Sequence, residues 1–215
     1  MYLDELLKNK WKVDQNNEEG LLFCAMPEID DDVYLHRLYK KIDINYANKY
    51  EQENGIVLLP ELKEFYKNFN GCRLFHSSIN IYGFDVEKSE PMCMVLNNIN
   101  LHTKLNNNGF DGKDIVYIGN VGDYLIYYKQ SEIKSPKLYL SNHGELTVHK
   151  EFYSIKELLS FYIKALSFEY DEKGYRKHPI NEKWCRKFPL EKNSFNGDID
   201  WTVPEDDLSK SIQKD

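Results

Sequence analysis

The chain has 215 residues with 28 basic and 35 acidic side chains, a formal net charge of −7, and 41% hydrophobic and 14% aromatic residues. That is too apolar and aromatic for a disordered chain, and long enough for one or two domains with a real core. The acidity argues against a general nucleic-acid binder, which needs a basic footprint, and no apolar run approaches the 18 residues of a membrane span. The opening Met1-Tyr2-Leu3-Asp4-Glu5 carries acids where a signal peptide needs cations, so a cytoplasmic location is expected.

In chain order, Leu3, Leu6 and Leu7 recur at helical spacing behind Asp4 and Glu5, which predicts a short opening helix. Gly20 and the cluster Pro27–Asp32 then punctuate the chain. From Val33 to about Glu53 the positions Leu35, Leu38, Ile42, Tyr46 and Tyr50 recur every three to four residues. This predicts one long helix, or two broken near Asp43, ended by Gly55. A second helix starts at Pro60, carries the stripe Leu62, Phe65, Tyr66 and Phe69, and is expected to end in a left-handed cap at Asn70-Gly71.

Beyond Gly71 the period shifts toward two. Residues 73–75, 78–83, 114–119, 124–129, 137–140 and 145–150 read as about six short strands. The turns Asn120-Val121-Gly122-Asp123 and Ser141-Asn142-His143-Gly144 suit antiparallel hairpins. Residues 89–110 are Asn-rich and read as a loop with one short helix. Ser154-Ile155-Lys156-Glu157 is a capping box opening a last helix with a wide apolar face. The order predicts an α+β fold: an antiparallel sheet of about six strands with helices at its N- and C-terminal sides. Tyr170, Tyr175, Trp184, Phe188, Phe195 and Trp201 make 169–215 an extension expected to pack on the core, with its end frayed.

Chemical motifs are sparse. Cys24, Cys72, Cys93 and Cys185 form no CxxC pair and read as free buried thiols. His143 with His149, and Cys72 with His76, lack the wider cluster that zinc requires. Gly119–Asp123 joins strand to strand, whereas a phosphate cradle leads into a helix. Asp111 and Asp114 read as a solvated turn. No catalytic constellation, cofactor site or metal site is expected. Charge is uneven: residues 1–43 hold 10 acids and 6 bases, 44–168 hold 14 and 13, and 169–215 hold 11 and 9. The acidic runs containing Asp30, Asp31 and Asp32, and then Asp198, Asp200, Glu205, Asp206 and Asp207, are candidate docking surfaces for a basic partner. Their alternative reading is a helix start and a solvated tail.

The stretch Ile56–Gly71, with Leu59-Pro60 before a helix and Asn70-Gly71 after it, resembles the signature opening of the SUKH superfamily. The segments Ile79–Gly83, Ile115–Gly119 with Gly122-Asp123, Leu138–Leu140 and Ser154–Ala165 follow in the family's order. The resemblance covers about 40–168, leaving 1–39 as an N-terminal extension expected to pack on the core. It implies a twisted antiparallel sheet flanked by helices and a non-catalytic, protein-binding role. Most bacterial members are immunity proteins that neutralise a cognate toxin domain, a nuclease among the candidates; fungal members resemble cell-wall signalling scaffolds, the alternative reading. An enzyme with a site assembled from distant residues is the third. Pro60, Asn70, Gly71, Gly122 and Asp123 match the family pattern and are expected to fix the fold. No toxin-contacting residue carries over, and neither nucleic acid nor membrane is an expected partner.

Overall fold

The computed structural model describes residues 2–27, 33–84, 114–142, 147–175 and 177. The expectations for residues 28–32, 85–113, 143–146 and 178–215 lie outside them. That includes all eight acidic candidates, His143, Asp111, Cys93, Cys185, Trp184, Phe188, Phe195 and Trp201. Four helices and nine strands alternate along the described chain. They are α1 (Tyr2–Lys8), β1 (Val13–Asn17), β2 (Gly20–Ala25), β3 (Tyr34–Lys40), α2 (Ile44–Asn54) and α3 (Pro60–Tyr66). There follow β4 (Phe69–Leu74), β5 (Ile79–Ile81), β6 (Ile115–Val121), β7 (Tyr124–Lys129), β8 (Leu138–Asn142), β9 (Val148–Phe152) and α4 (Ile155–Ser167). The strands form one antiparallel sheet in strict sequence order, β1 to β9. No helix among the described residues is long and apolar enough to cross a membrane.

The α+β reading stands, but the sheet has nine strands where about six were expected. The three additional strands are β1 to β3. The expected boundary at residue 39 falls inside β3, and β1, β2 and β3 all belong to the sheet. The long helix predicted from Val33 is a strand up to Lys40, and only Ile44–Asn54 is helical. The physical cause is burial on both sides of β3: Leu35, His36, Leu38 and Tyr39 are all buried. A strand covered on both faces shows a nearly continuous apolar run, which periodicity alone does not separate from a helix. The strand β1 escaped notice for the opposite reason. Its sequence Val13-Asp14-Gln15-Asn16-Asn17 is polar after Val13, as suits a sheet edge.

Several local signals act as read. The Asp43 carboxylate accepts from the Asn45 N–H and starts α2, and Gly55 ends it with φ 62° and its N–H on the Glu51 carbonyl. Pro60 is the first residue of α3. Ser154 Oγ accepts from the Glu157 N–H at 2.9 Å, and Glu157 accepts in turn from the Tyr153 N–H at 2.7 Å. One partner of that cap lies far away in sequence. Glu61 on α3 accepts from the Ile155 and Lys156 N–H groups at 2.8 and 2.9 Å, so a carboxylate of one helix caps the N-terminus of another.

The helix cap expected at Asn70-Gly71 is absent. Helix α3 ends at Tyr66, and Asn70 and Gly71 are already in β4. Gly71 does take a left-handed φ of 91°, but the demand comes from close approach. A Cβ there would sit 2.7 Å from the Ile81 carbonyl oxygen and 2.9 Å from the Gly83 nitrogen. Beside it, the buried Asn70 amide clamps Phe84 twice: Oδ1 accepts from its N–H and Nδ2 donates to its carbonyl, both at 2.7 Å. Thus Asn70 and Gly71 fasten the chain beyond β5 onto β4. Gly122, at φ 54°, forms with Asp123 the two-residue turn that joins Val121 to its partner Tyr124.

Side chains alternate along β6–β8. Val116, Ile118, Tyr124, Ile126, Tyr128, Leu138 and Leu140 belong to the main core. They share it with Leu3 and Leu7 of α1, Ala47 of α2, Leu62, Phe65 and Tyr66 of α3, and six residues of α4. Ile115, Tyr117, Leu125, Tyr127 and Tyr139 point the other way and form a second, smaller cluster.

Candidate functional site

The second sheet face is built by register. Successive pairings place Gln15, Leu22, Arg37, Arg73, Asn80, Asn120, Leu125, Ser141 and Val148 in one row that crosses all nine strands. Leu125 belongs to the second cluster, which fixes the side on which the row lies. Further along the strands, two residues on in β7 and β8 and three in β6, where a bulge intervenes, Tyr117, Tyr127 and Tyr139 are paired neighbours. The face thus carries a polar and cationic row beside a tyrosine row.

Its geometry is ordered. The rings of Tyr127 and Tyr139 stack with centroids 5.4 Å apart, and Tyr117 lies 5.8 Å from Tyr127. The Lys129 ammonium sits 4.7 Å over Tyr139, whose hydroxyl donates to Glu132. In the polar row, Asn80 Nδ2 donates to Asn120 Oδ1 at 3.1 Å and to the Ser77 carbonyl at 2.9 Å. The Tyr82 hydroxyl donates to the same Asn120 oxygen at 3.3 Å, and Asn120 Nδ2 closes the β6–β7 turn on the Gly122 carbonyl at 2.8 Å. Arg37 and Arg73 stand directly opposite each other. A like-charge pair at that position costs stability unless carboxylates or rings offset it. Glu19 lies 3.9 Å from Arg37, and the rings of Tyr34 and Tyr39 lie 6.0 and 5.9 Å away. Tyr117, Tyr127 and Tyr139 are 1–5% exposed, whereas Arg37, Arg73, Asn80, Tyr82 and Asn120 are half-buried.

The phenols of this face are held in their neutral form. Burial pushes the phenol of Tyr127 up to about 12 and raises Tyr117 and Tyr139 as well, so all three stay neutral hydrogen-bonding groups near neutral pH. Burial also raises the thiols of Cys24 and Cys72, to about 11 and about 12; both are buried free cysteines. The half-buried arginines and amides can supply directed hydrogen bonds to a partner, whereas the three tyrosines are packed away and serve to hold the strands in register.

Among residues singled out from sequence, Asp114 closes a turn. Its carboxylate accepts from the N–H and hydroxyl of Ser131 at 2.6 and 2.7 Å. His149 is in β9 with its ring 5.2 Å from that of Tyr124. Cys72 lies within β4 and His76 in the turn after it. Sequence reasoning missed Arg37, Arg73, Asn80 and Asn120. The available signal was a charged or amide residue interrupting each short apolar run, but only the register shows that the four line up. A scan against protein-family models finds no match to this chain, and a search of curated proteins finds none either.

Proposed function

We propose that this chain is a non-catalytic protein-binding protein of the immunity type, which neutralises a cognate toxin domain in the cytoplasm by occluding it. The observation that carries the protein-binding part is the half-buried row of Arg37, Arg73, Asn80 and Asn120 on the second sheet face. The narrowing to a toxin rests on the SUKH resemblance over about 40–168. Two of its matching residues, Asn70 and Gly71, are found fastening backbone to backbone, and Gly122 with Asp123 forms a tight turn, as residues that fix a fold should. The helices flanking a twisted sheet belong to the same reading. Charge reversal of Asp206 and Asp207 to Lys tests the acidic docking idea, since it should slow association more than it speeds dissociation.

An immunity gene should sit directly beside a toxin gene, and the deciding experiment is to read the neighbouring gene and co-express its toxin domain with this chain. Growth should be restored and a stable complex should survive size-exclusion chromatography. Arg73→Glu, at a half-buried position, should weaken that complex about tenfold or more, the scale of a good interface contact. Continued toxicity with no complex would refute the proposal.

A further inference from the structure

The turn between β4 and β5 holds three of the four non-glycine residues with positive φ among the described residues. They are Phe75, His76 and Ser77, at 51°, 52° and 73°. Side chains with a Cβ avoid this region because the Cβ crowds the following carbonyl, so a run of three persists only where its surroundings impose it. The anchors are visible. The Phe75 N–H donates to His36 Nδ1 at 3.3 Å, and the His76 N–H donates to the Leu35 carbonyl at 3.2 Å. Ser78 donates to the Phe75 carbonyl from both its N–H, at 3.0 Å, and its hydroxyl, at 2.7 Å. The Phe75 ring is fully buried, 4.6 Å from His36, 5.4 Å from Trp11 and 5.3 Å from Tyr170.

His36 is the unusual member. It is fully buried at the centre of β3, with the rings of Trp11, Phe75 and Phe23 at 4.5, 4.6 and 6.2 Å. Because Nδ1 accepts a hydrogen bond, the neutral ring carries its proton on Nε2, and that atom is buried without a hydrogen-bond partner. A second proton can therefore enter only at Nδ1, the atom that holds the turn. We propose that His36 is an acid-release latch. Protonation at Nδ1 expels the Phe75 N–H, frees the β4–β5 turn, and loosens the Tyr170–Tyr175 segment packed on it, while the rest of the sheet stays paired.

The surroundings oppose a charged ring. Burial is the main opponent, and His76 in the turn adds to it with the same sign of charge. Arg73 of β4 acts likewise on His76, whose bond to the Gly174 backbone ties the turn to the segment after α4. From the end of α1, the Lys10 ammonium lies 5.1 Å from the Trp11 ring but is committed to the Ser167 and Tyr170 carbonyls. On β2, Cys24 beside Phe23 feels Asp14 and Asp171.

The test is amide hydrogen exchange on the wild-type chain, normalised for intrinsic rates, from pH 7.5 to 5. The opening equilibrium read at Phe75 and Ser78 should rise at least about tenfold per pH unit below roughly 6.5, the ordinary histidine value, and stay well above that of Val116 and Tyr128, which open only with the whole sheet. His36→Asn, which offers an acceptor oxygen near the Nδ1 position but does not protonate, should remove most of the rise, leaving the share of His76. His76→Asn should leave most of it in place. An unchanged turn in acid, turn amides opening no more readily than Val116 and Tyr128, or a response removed by His76→Asn instead of His36→Asn would each overturn the latch.

Discussion

Two neighbouring hairpin turns meet the same conformational demand in different ways. The β6–β7 turn places Gly122 at φ 54°, where the absence of a Cβ makes the left-handed conformation cheap. The β4–β5 turn places Phe75, His76 and Ser77 in the same region and is held by a buried ring, a buried imidazole and the Leu35 carbonyl of β3. They touch: the Gly122 N–H donates to the Ser78 carbonyl at 2.8 Å. One turn is written into its own residues. The other is imposed by the fold, at about 1–2 kcal/mol per left-handed residue.

The strongest way to break the imposed turn is to remove its ring. Phe75→Ala should cost about 3–5 kcal/mol in urea unfolding, because a fully buried Phe is lost while the backbone strain remains. Gly71→Val, at the base of the same hairpin, should cost about 3 kcal/mol from a left-handed β-branched residue pressed on the Ile81 carbonyl. An unchanged midpoint would mean that the backbones can separate freely there.

Acid offers a milder probe. His36 is held well below its ordinary value by burial and by His76, so the unfolded chain binds a proton that the folded chain refuses. Stability is therefore fully present above about pH 6.5 and declines below it, by up to about 1.4 kcal/mol per pH unit for one histidine. His76, lowered mainly by its own burial, adds in the same direction. Smallest and most diagnostic is a pair of opposite signs. Ser77→Gly should stabilise by about 0.5–1 kcal/mol by relieving strain, whereas Gly122→Ala should destabilise by about 1 kcal/mol. Thermal melts that moved in the same direction would erase the distinction between the turns.

The same contrast decides what could be read in advance. Asp43 and Gly55 around α2, Pro60 in α3, the Ser154–Glu157 cap and the strand Tyr124–Lys129 carry their own instructions, and each is found where the residues place it. Strand β3 does not: Leu35 and Leu38 fit a helix equally well until neighbours bury both sides. Asn70 and Gly71 looked like a helix end because a left-handed glycine after a helix usually is one; here Ile81 and Gly83 supply the reason. The candidate face was less legible still. Arg37, Arg73, Asn80 and Asn120 span 84 positions in sequence and become one row only through pairing across β3, β4, β5 and β6.

The strict sequence order of the nine strands bears on how the chain reaches this state. Each strand pairs with its predecessor, so the sheet can zip hairpin by hairpin with modest loop-closure cost at most steps. The bond from Trp11 Nε1 to the Asp171 carbonyl, 2.9 Å long, joins residues 160 positions apart, and Lys10 reaches the same stretch. That clasp cannot form before the last helix has docked, so it is the natural final step of folding. With Trp184 and Trp201 replaced by Phe, its indole becomes an optical reporter of arrival: sheet formation followed by circular dichroism should precede the Trp11 fluorescence change.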